Sequence, residues 1–446
     1  MDVQLDWEFI KAQLPAGYQQ LAVELGLIHP QPPQLHTKVT DIDQVLRPLL
    51  HRIGIETSLQ TATSTAAMAR RSIAEQEGEE AAEASHLVDL SAPALHYWER
   101  KLPSYLSELL ARMIGAADTF SPARWHGYEI MIVDGTTAQR PGAKGVTARI
   151  LYALRLSDLS VMGCHTTDEH GTESMRIFDV RPGQLWMGDR FYANPYDIAW
   201  VVDAGADVHV RYKFNALPLY DTQGEPFDVM AHVRLLSKPE QEAEWSVEVH
   251  PDGHEPIRGR LCVVRLPEAE ANKERDRLRR EEGPGVSPRA LEAASWLIVF
   301  TTASPERMTT HEATDLYRLR WQIELEIKRD KSLGGLDKLP NFRPDTIATW
   351  LLGKLLIEQI ARKVVSPTVA FPPSAVGFVL FPAPHRDFSA SQRGAREAPP
   401  PQRSGRRRDV ARDGPHLPGD PRRSASRAPA RGASVPRRVP GARGTP

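Results

Sequence analysis

The sequence predicts an α/β protein: a mixed-sheet core with a β-rich insertion, a helical N-terminal region before it and a patternless tail after it. Three observations carry this. Tyr128 to Val133 and Gln184 to Gly188 are short apolar runs suited to strands buried on both faces, and each is followed by an aspartate. Asp315 to Lys331 carries a helical repeat of apolar and ionisable residues. From Ser366 onward Pro and Arg dominate and no periodicity survives.

Residues 1–127 read as mainly helical. Phe9 to Leu25 (broken at Pro15-Ala16-Gly17), Val39 to Leu50, Leu59 to Glu77 and a helical pair at Pro93 to Met113 all have helix-like apolar spacing. The acidic run Glu75 to Glu83 reads as a solvated linker. Two readings stand for the region: a helical bundle, or a DNA-binding and dimerisation domain.

Residues 128–212 form the first part of the core. After the strand ending at Asp134, Ala148 to Leu156 and Ser160 to His165 suggest adjacent antiparallel strands. A strand at Gln184 to Gly188, a helix at Pro195 to Ala204 and a strand at Ala206 to Tyr212 follow. Residues 213–295 form the insertion. There Phe227, Val229, Ala231 and Val233 share a face by alternation, Leu261 to Leu266 is a second strand, and Glu268 to Glu282 is a charged helix or loop. Residues 296–365 complete the core with a strand at Trp296 to Thr302, the ionisable helix and a last apolar helix from Thr346 to Val364.

Composition narrows the class. With 446 residues, 41% hydrophobic and 25% charged, the chain can build several packed domains. No apolar run is long enough to span a bilayer, and the acidic start lacks the pattern of a signal peptide. Two cysteines exclude a disulfide framework or a cysteine-rich zinc site, and a cytoplasmic setting follows. No glycine-rich phosphate loop with Lys-Ser/Thr is present, which argues against ATP use. The net charge of -1 conceals a partition, because the segment from Arg386 carries 15 Arg, no Lys and five acidic residues. Residues 366–446 cannot bury enough to offset ordering their backbone. They read as a disordered basic arm or as an abnormal, frameshifted C-terminus.

The chemistry rests on carboxylates. Asp134 and Asp189 close two buried strands, and Glu324 projects from a helix that can pack on the same sheet. Converging carboxylates repel and cost several kcal/mol to bury unpaired, which a divalent cation relieves. An oxygen-only set suits Mg²⁺, with Mn²⁺ as a substitute. Each residue has a plainer alternative: an Asx turn for Asp134, a turn or helix cap for Asp189, an i, i+4 partner of Arg320 or Lys328 for Glu324. At about 100° per residue, Tyr317, Arg320, Glu324 and Lys331 fall within roughly 60° of one helix face. Thr167 to Glu173 is dense in possible ligands but reads as a turn, and His126 before the first core strand reads as structural.

Asp134-Gly135-Thr136, Gly188-Asp189-Arg190-Phe191-Tyr192 and Tyr317-x2-Arg320-x3-Glu324-x6-Lys331 together resemble the bacterial insertion-sequence transposases of the DDE class. The closer likeness is to the branch named for its Tyr-Arg-Glu-Lys signature. The resemblance spans about residues 90 to 365. It implies an RNase H-like core that uses two metal ions to cleave DNA at the inverted repeats ending its own element. The freed 3′-hydroxyl, after a hairpin step, is joined to target DNA within a dimeric complex on the bacterial nucleoid. Asp134, Asp189 and Glu324 would bind the metal ions; Tyr317, Arg320, Lys331 and Lys328 would meet DNA; Trp296 would stack on an extruded base. Two departures stand out: Phe191 sits where relatives often have glycine, and the tail replaces expected helices. A decayed or domesticated nuclease or DNA-binding protein of the same fold, no longer transposing, is the alternative.

Overall fold

The computed structural model describes residues 7–29, 39–116, 124–214, 216–340 and 344–365. The Pro/Arg-rich tail and the proline-rich stretch after His29 lie outside the described residues, apart from His29 itself.

The N-terminal region is helical: α1 (Trp7–Lys11), α2 (Tyr18–Glu24), α3 (Asp43–Gly54), α4 (Leu59–Glu77), α5 (Glu79–Ala84), α6 (Ala92–Lys101) and α7 (Pro103–Ala116). Local chemistry sets several boundaries. Ser58 and Ser91 cap α4 and α6 by accepting from the amides of Thr61 and Ala94. The acidic run expected as a linker is instead mostly helical, since α4 extends to Glu77 and α5 takes up the rest after Gly78 at φ 99°. In α3 the buried Val45, Leu46, Leu49, Leu50 and Ile53 form one stripe.

Eight strands follow, with helices between them: β1 (Glu129–Ala138), β2 (Ala148–Arg155), β3 (Ser160–Asp168), β4 (Gln184–Gly188), α8 (Pro195–Asp203), β5 (Asp207–Arg211), α9 (Val229–Val233), β6 (Glu242–Val249), β7 (Ile257–Arg265), α10 (Glu268–Glu282), α11 (Pro288–Ala293), β8 (Trp296–Thr301), α12 (Thr310–Arg318), α13 (Trp321–Ser332) and α14 (Pro344–Val365). The strands make one mixed sheet in the order β3-β2-β1-β4-β5-β8-β7-β6. β1, β4 and β5 are mutually parallel, whereas the other pairings are antiparallel. The insertion's strands therefore extend the central sheet through β8.

Three expectations change. β1 does not stop at Asp134 but runs to Ala138, because β2 pairs with it from Met131 to Ala138. Phe227 to Val233 is not a strand: Asp228 accepts from the amides of Met230 and Ala231 and starts α9, burying Val229, Met230 and Val233 at helical spacing. The 315–331 helix is two helices, broken at Leu319-Arg320.

The sheet is covered on both faces. Ile130, Ile132, Leu185 and Met187 join one apolar core with α3, α7, α12, α13 and α14, while Met131, Val133 and Trp186 join another with α8 and the insertion. Strand alternation separates them. The N-terminal helices reach α14 through a buried ion pair, Arg52 with Glu99, whose guanidinium lies 5.0 Å from the Trp350 ring. Thr349 also donates to the Glu99 carbonyl. No helix among the described residues is long and apolar enough to cross a membrane.

Candidate catalytic centre at the end of the parallel strands

β4 pairs with β1 only from Glu129–Gln184 to Ile132–Met187. Continued two places, that register would bring Asp134 level with Asp189, and the Asp189 charge does reach Asp134. Asp134, still within β1, follows Ile132 onto the face covered by α13, whereas Asp189 comes just after β4 ends at Gly188. Parallel pairing ends just short of both residues, and this opens the crevice in which they sit.

Asp189 turns the chain. Its Oδ1 accepts from the Phe191 amide at 2.7 Å and its carbonyl accepts from the Tyr192 amide. Tyr192 then folds back so tightly that a Cβ on Gly188 would lie 2.8–2.9 Å from it. Glycine is required there by close approach. Phe191 points outward, 55% exposed, so the departure at this position places no bulk in the core.

Asp134 is more enclosed. Its Oδ1 accepts from the Gly135 amide at 2.8 Å and its Oδ2 from Arg320 Nη1 at 3.3 Å. Burial pushes its carboxyl up to about 7; Arg320 and the Gly135 amide oppose this, while the Asp189 and Glu324 charges add to it. Arg320 also bonds Glu324 Oε1 through Nη2, so one guanidinium ties together two of the three acids. The helix break makes this possible. Leu319, Arg320, Gln322 and Ile323 donate to carbonyls three residues back, and such tighter turns rotate faster per residue than an α-helix. Tyr317 is thereby turned into the core, 6.1 Å from the buried His209 ring. Burial raises its phenol, and the charges of Arg211, Arg320, Asp189 and Arg190 all reach it.

Of the other expected residues, Lys331 is half-buried seven positions beyond Glu324, and Lys328 is exposed. Trp296 is not brought to this centre. It opens β8 at 4% exposure in the opposite core, with Arg265 5.4 Å from its ring. The Thr167–Glu173 segment is a turn, as its composition suggested, but Glu173 reaches the site. Its carboxyl lies 2.7 Å from where a Gly135 Cβ would be, beside Arg149. Only the glycine after Asp134 signalled that approach.

A second group also escaped the sequence reading. Glu274 of α10 lies 3.2 Å from Arg190 and 2.7 Å from both Arg211 and Arg277. Burial pushes its carboxyl up, yet the three arginines outweigh that and hold it at about 2.

Asp134, Asp189 and Glu324 offer the oxygen-only donors that a hard divalent cation takes. Arg320 fills the gap between Asp134 and Glu324, and among the described residues the groups whose potential ligand atoms lie within 4.8 Å of one another are Asp41-Asp43-His86 and Glu326-Asp330-Glu358. The first is tied up by Tyr18 and by capping of α3, and the second surrounds Arg362. Two of the three acids, Asp134 and Glu324, already hold a cationic group, the Arg320 guanidinium, which fits them for a cation.

The eight-stranded mixed sheet, with helices before and around it, defines a mixed α/β protein. Residues 125–357 match the model of the transposase DDE domain, and the chain belongs to that family. It is 29% identical over 259 residues to the putative transposase InsL of insertion sequence element IS186A from Escherichia coli K12, covering 56% of this chain and 70% of the relative. The transposase of insertion sequence element IS421 from Escherichia coli matches at the same identity and coverage.

Proposed function

We propose that this protein is a DNA transposase of the Tyr-Arg-Glu-Lys branch, with an RNase H-like core interrupted by residues 213–295. It cleaves phosphodiester bonds at the inverted-repeat ends of its own element and joins the 3′-hydroxyl ends to target DNA, acting as a homodimer on the DNA. The observation that supports the reading is that the charges of Asp189 and Glu324 both reach Asp134, with Glu324 linked to Asp134 through Arg320.

Members of the DDE family generally use a divalent metal, and here Asp134, Asp189 and Glu324 would hold Mg²⁺ or Mn²⁺. Such an ion supplies the charge that makes water a nucleophile at neutral pH and steadies a leaving oxygen. The chain does the rest. Arg320 keeps Asp134 and Glu324 apart from solvent-driven rearrangement until DNA enters, then offers its planar fork to a phosphate. Lys331, and Lys328 one turn earlier, add point charges along the incoming backbone. Tyr317 acts from within the core by supporting Arg320.

The test is strand cleavage on DNA carrying the gene's own flanking inverted ends, with Mg²⁺ and with Mn²⁺, comparing this protein with Glu324→Gln. Metal-dependent nicking at the element boundary, lost in the variant with DNA binding retained, is the expected result. Cleavage that persists in Glu324→Gln would remove Glu324 from the centre.

A further inference from the structure

The Glu274 cluster lies outside the three-acid centre but borders it: Arg190 follows Asp189, and Arg211 ends the strand next to β4. Three guanidinium nitrogens stand 2.7–3.2 Å from one oxygen, Glu274 Oε1. Arg277 also reaches Oε2, at 2.9 Å. Arg190 and Arg277 hydrogen-bond this oxygen and use its two lone pairs, which leaves Arg211 held by charge alone. Three positive charges also face a single negative one. Arg277 is an i, i+3 partner on α10 itself, but Arg190 and Arg211 come from the sheet, so the insertion is docked on the core through this carboxylate. Lys213, 5.0 Å from the exposed Phe191 ring, extends the basic edge. Forks gathered around a planar anion are the arrangement that grips a phosphate.

We propose that Glu274 stands in for a DNA phosphate: α10 closes an Arg190–Arg211–Arg277 clamp beside the acidic centre, and the entering phosphodiester displaces the carboxylate. The clamp is thus preformed but shut, and the insertion acts as its gate. This rests on the reading of the protein as a DNA-acting enzyme.

The experiment uses the full chain in EDTA, with short duplex DNA and, separately, inorganic phosphate as probes. Glu274→Gln keeps the shape and removes the competing charge. It should bind duplex about tenfold more tightly, with a log K against log salt slope steeper by roughly one unit. Arg211→Ala added to it should reverse both effects. Inorganic phosphate should raise the melting temperature of Glu274→Gln more than that of the parent protein. Arg277→Ala leaves Glu274 to neutralise the other two arginines and should weaken DNA binding several-fold.

Unchanged or weaker DNA binding by a folded Glu274→Gln overturns the gate. So does a gain that Arg211→Ala leaves intact, or stabilisation by free phosphate with no effect on DNA. Parental binding by Arg277→Ala overturns the clamp however Glu274→Gln folds. If the parent cleaves element ends while these variants behave like it, the inference fails and the proposed function stands. If no form binds DNA, both fall.

Discussion

Removing Arg320 is the perturbation that discriminates most sharply. Its guanidinium lies 3.3 Å from Asp134 and bonds Glu324, with 18% of its side chain exposed and 42% of that of Glu324. At an effective dielectric near 20, one unit pair at that distance attracts by about 5 kcal/mol before desolvation. Arg320 and Asp134 each lose hydration, and Glu324 is well solvated, so the net worth is nearer to 2 kcal/mol. Arg320→Ala should therefore lower unfolding free energy by about 2 kcal/mol in EDTA, read from urea melts. The same figure predicts metal affinity. A cation entering the parent protein must displace the guanidinium, whereas in Arg320→Ala it meets bare carboxylates. Mn²⁺ measured calorimetrically should then bind the variant roughly thirtyfold more tightly. Cleavage should nevertheless fall, because the phosphate loses its fork. Equal or weaker Mn²⁺ binding by Arg320→Ala would refute the argument that the arginine occupies the cation's place.

Gly188→Ala forces a Cβ into Tyr192 at 2.8–2.9 Å and should cost about 1–3 kcal/mol in urea melts while displacing the Asp189 turn; parental stability would show that Tyr192 yields freely. Trp296→Ala should destabilise by roughly 3–5 kcal/mol as a core deletion, and Trp296→Phe should retain end joining. A folded Trp296→Phe that cleaves but cannot join would restore a base-stacking role. Burial, then the hydrogen bond to Asp330, pushes the Glu358 carboxyl up to about 10, so its folded-state pKa lies above the unfolded one. Unfolding releases that proton once pH exceeds the ordinary carboxylate range, and stability falls as pH rises from there toward 10. Glu358→Gln should flatten that decline by at most about 1.4 kcal/mol per pH unit, measured by melts from pH 5 to 9. An unchanged slope would assign the decline to other groups.

The sheet was legible where burial made runs of one texture. Gln184–Gly188 has the bounds expected of it, because five consecutive buried residues leave no alternation to misread. Phe227 to Val233 misled for the opposite reason: its spacing suits a strand face, but the capping bonds that Asp228 accepts from Met230 and Ala231 decide the matter. The Tyr317 to Lys331 block revealed its residue types and not their directions, since the break at Leu319-Arg320 depends on what Arg320 can reach across the chain. Glu173 and Glu274 were invisible for the same reason. Each matters through partners far away in sequence, Gly135 and Arg149 for one, Arg190 and Arg211 for the other.

The buried contact between Glu99 and Thr349 spans 250 residues. A ribosome adding about 5–20 residues per second needs roughly 12–50 s to cover that interval. For that time the first helices exist without the last, and Arg52 and Glu99 lack the wall that Trp350 and its neighbours provide. The nascent chain thus carries both aspartates long before it has a finished core beneath them. A message cut short before α14 would yield a product that leaves exposed the apolar helix faces α14 covers.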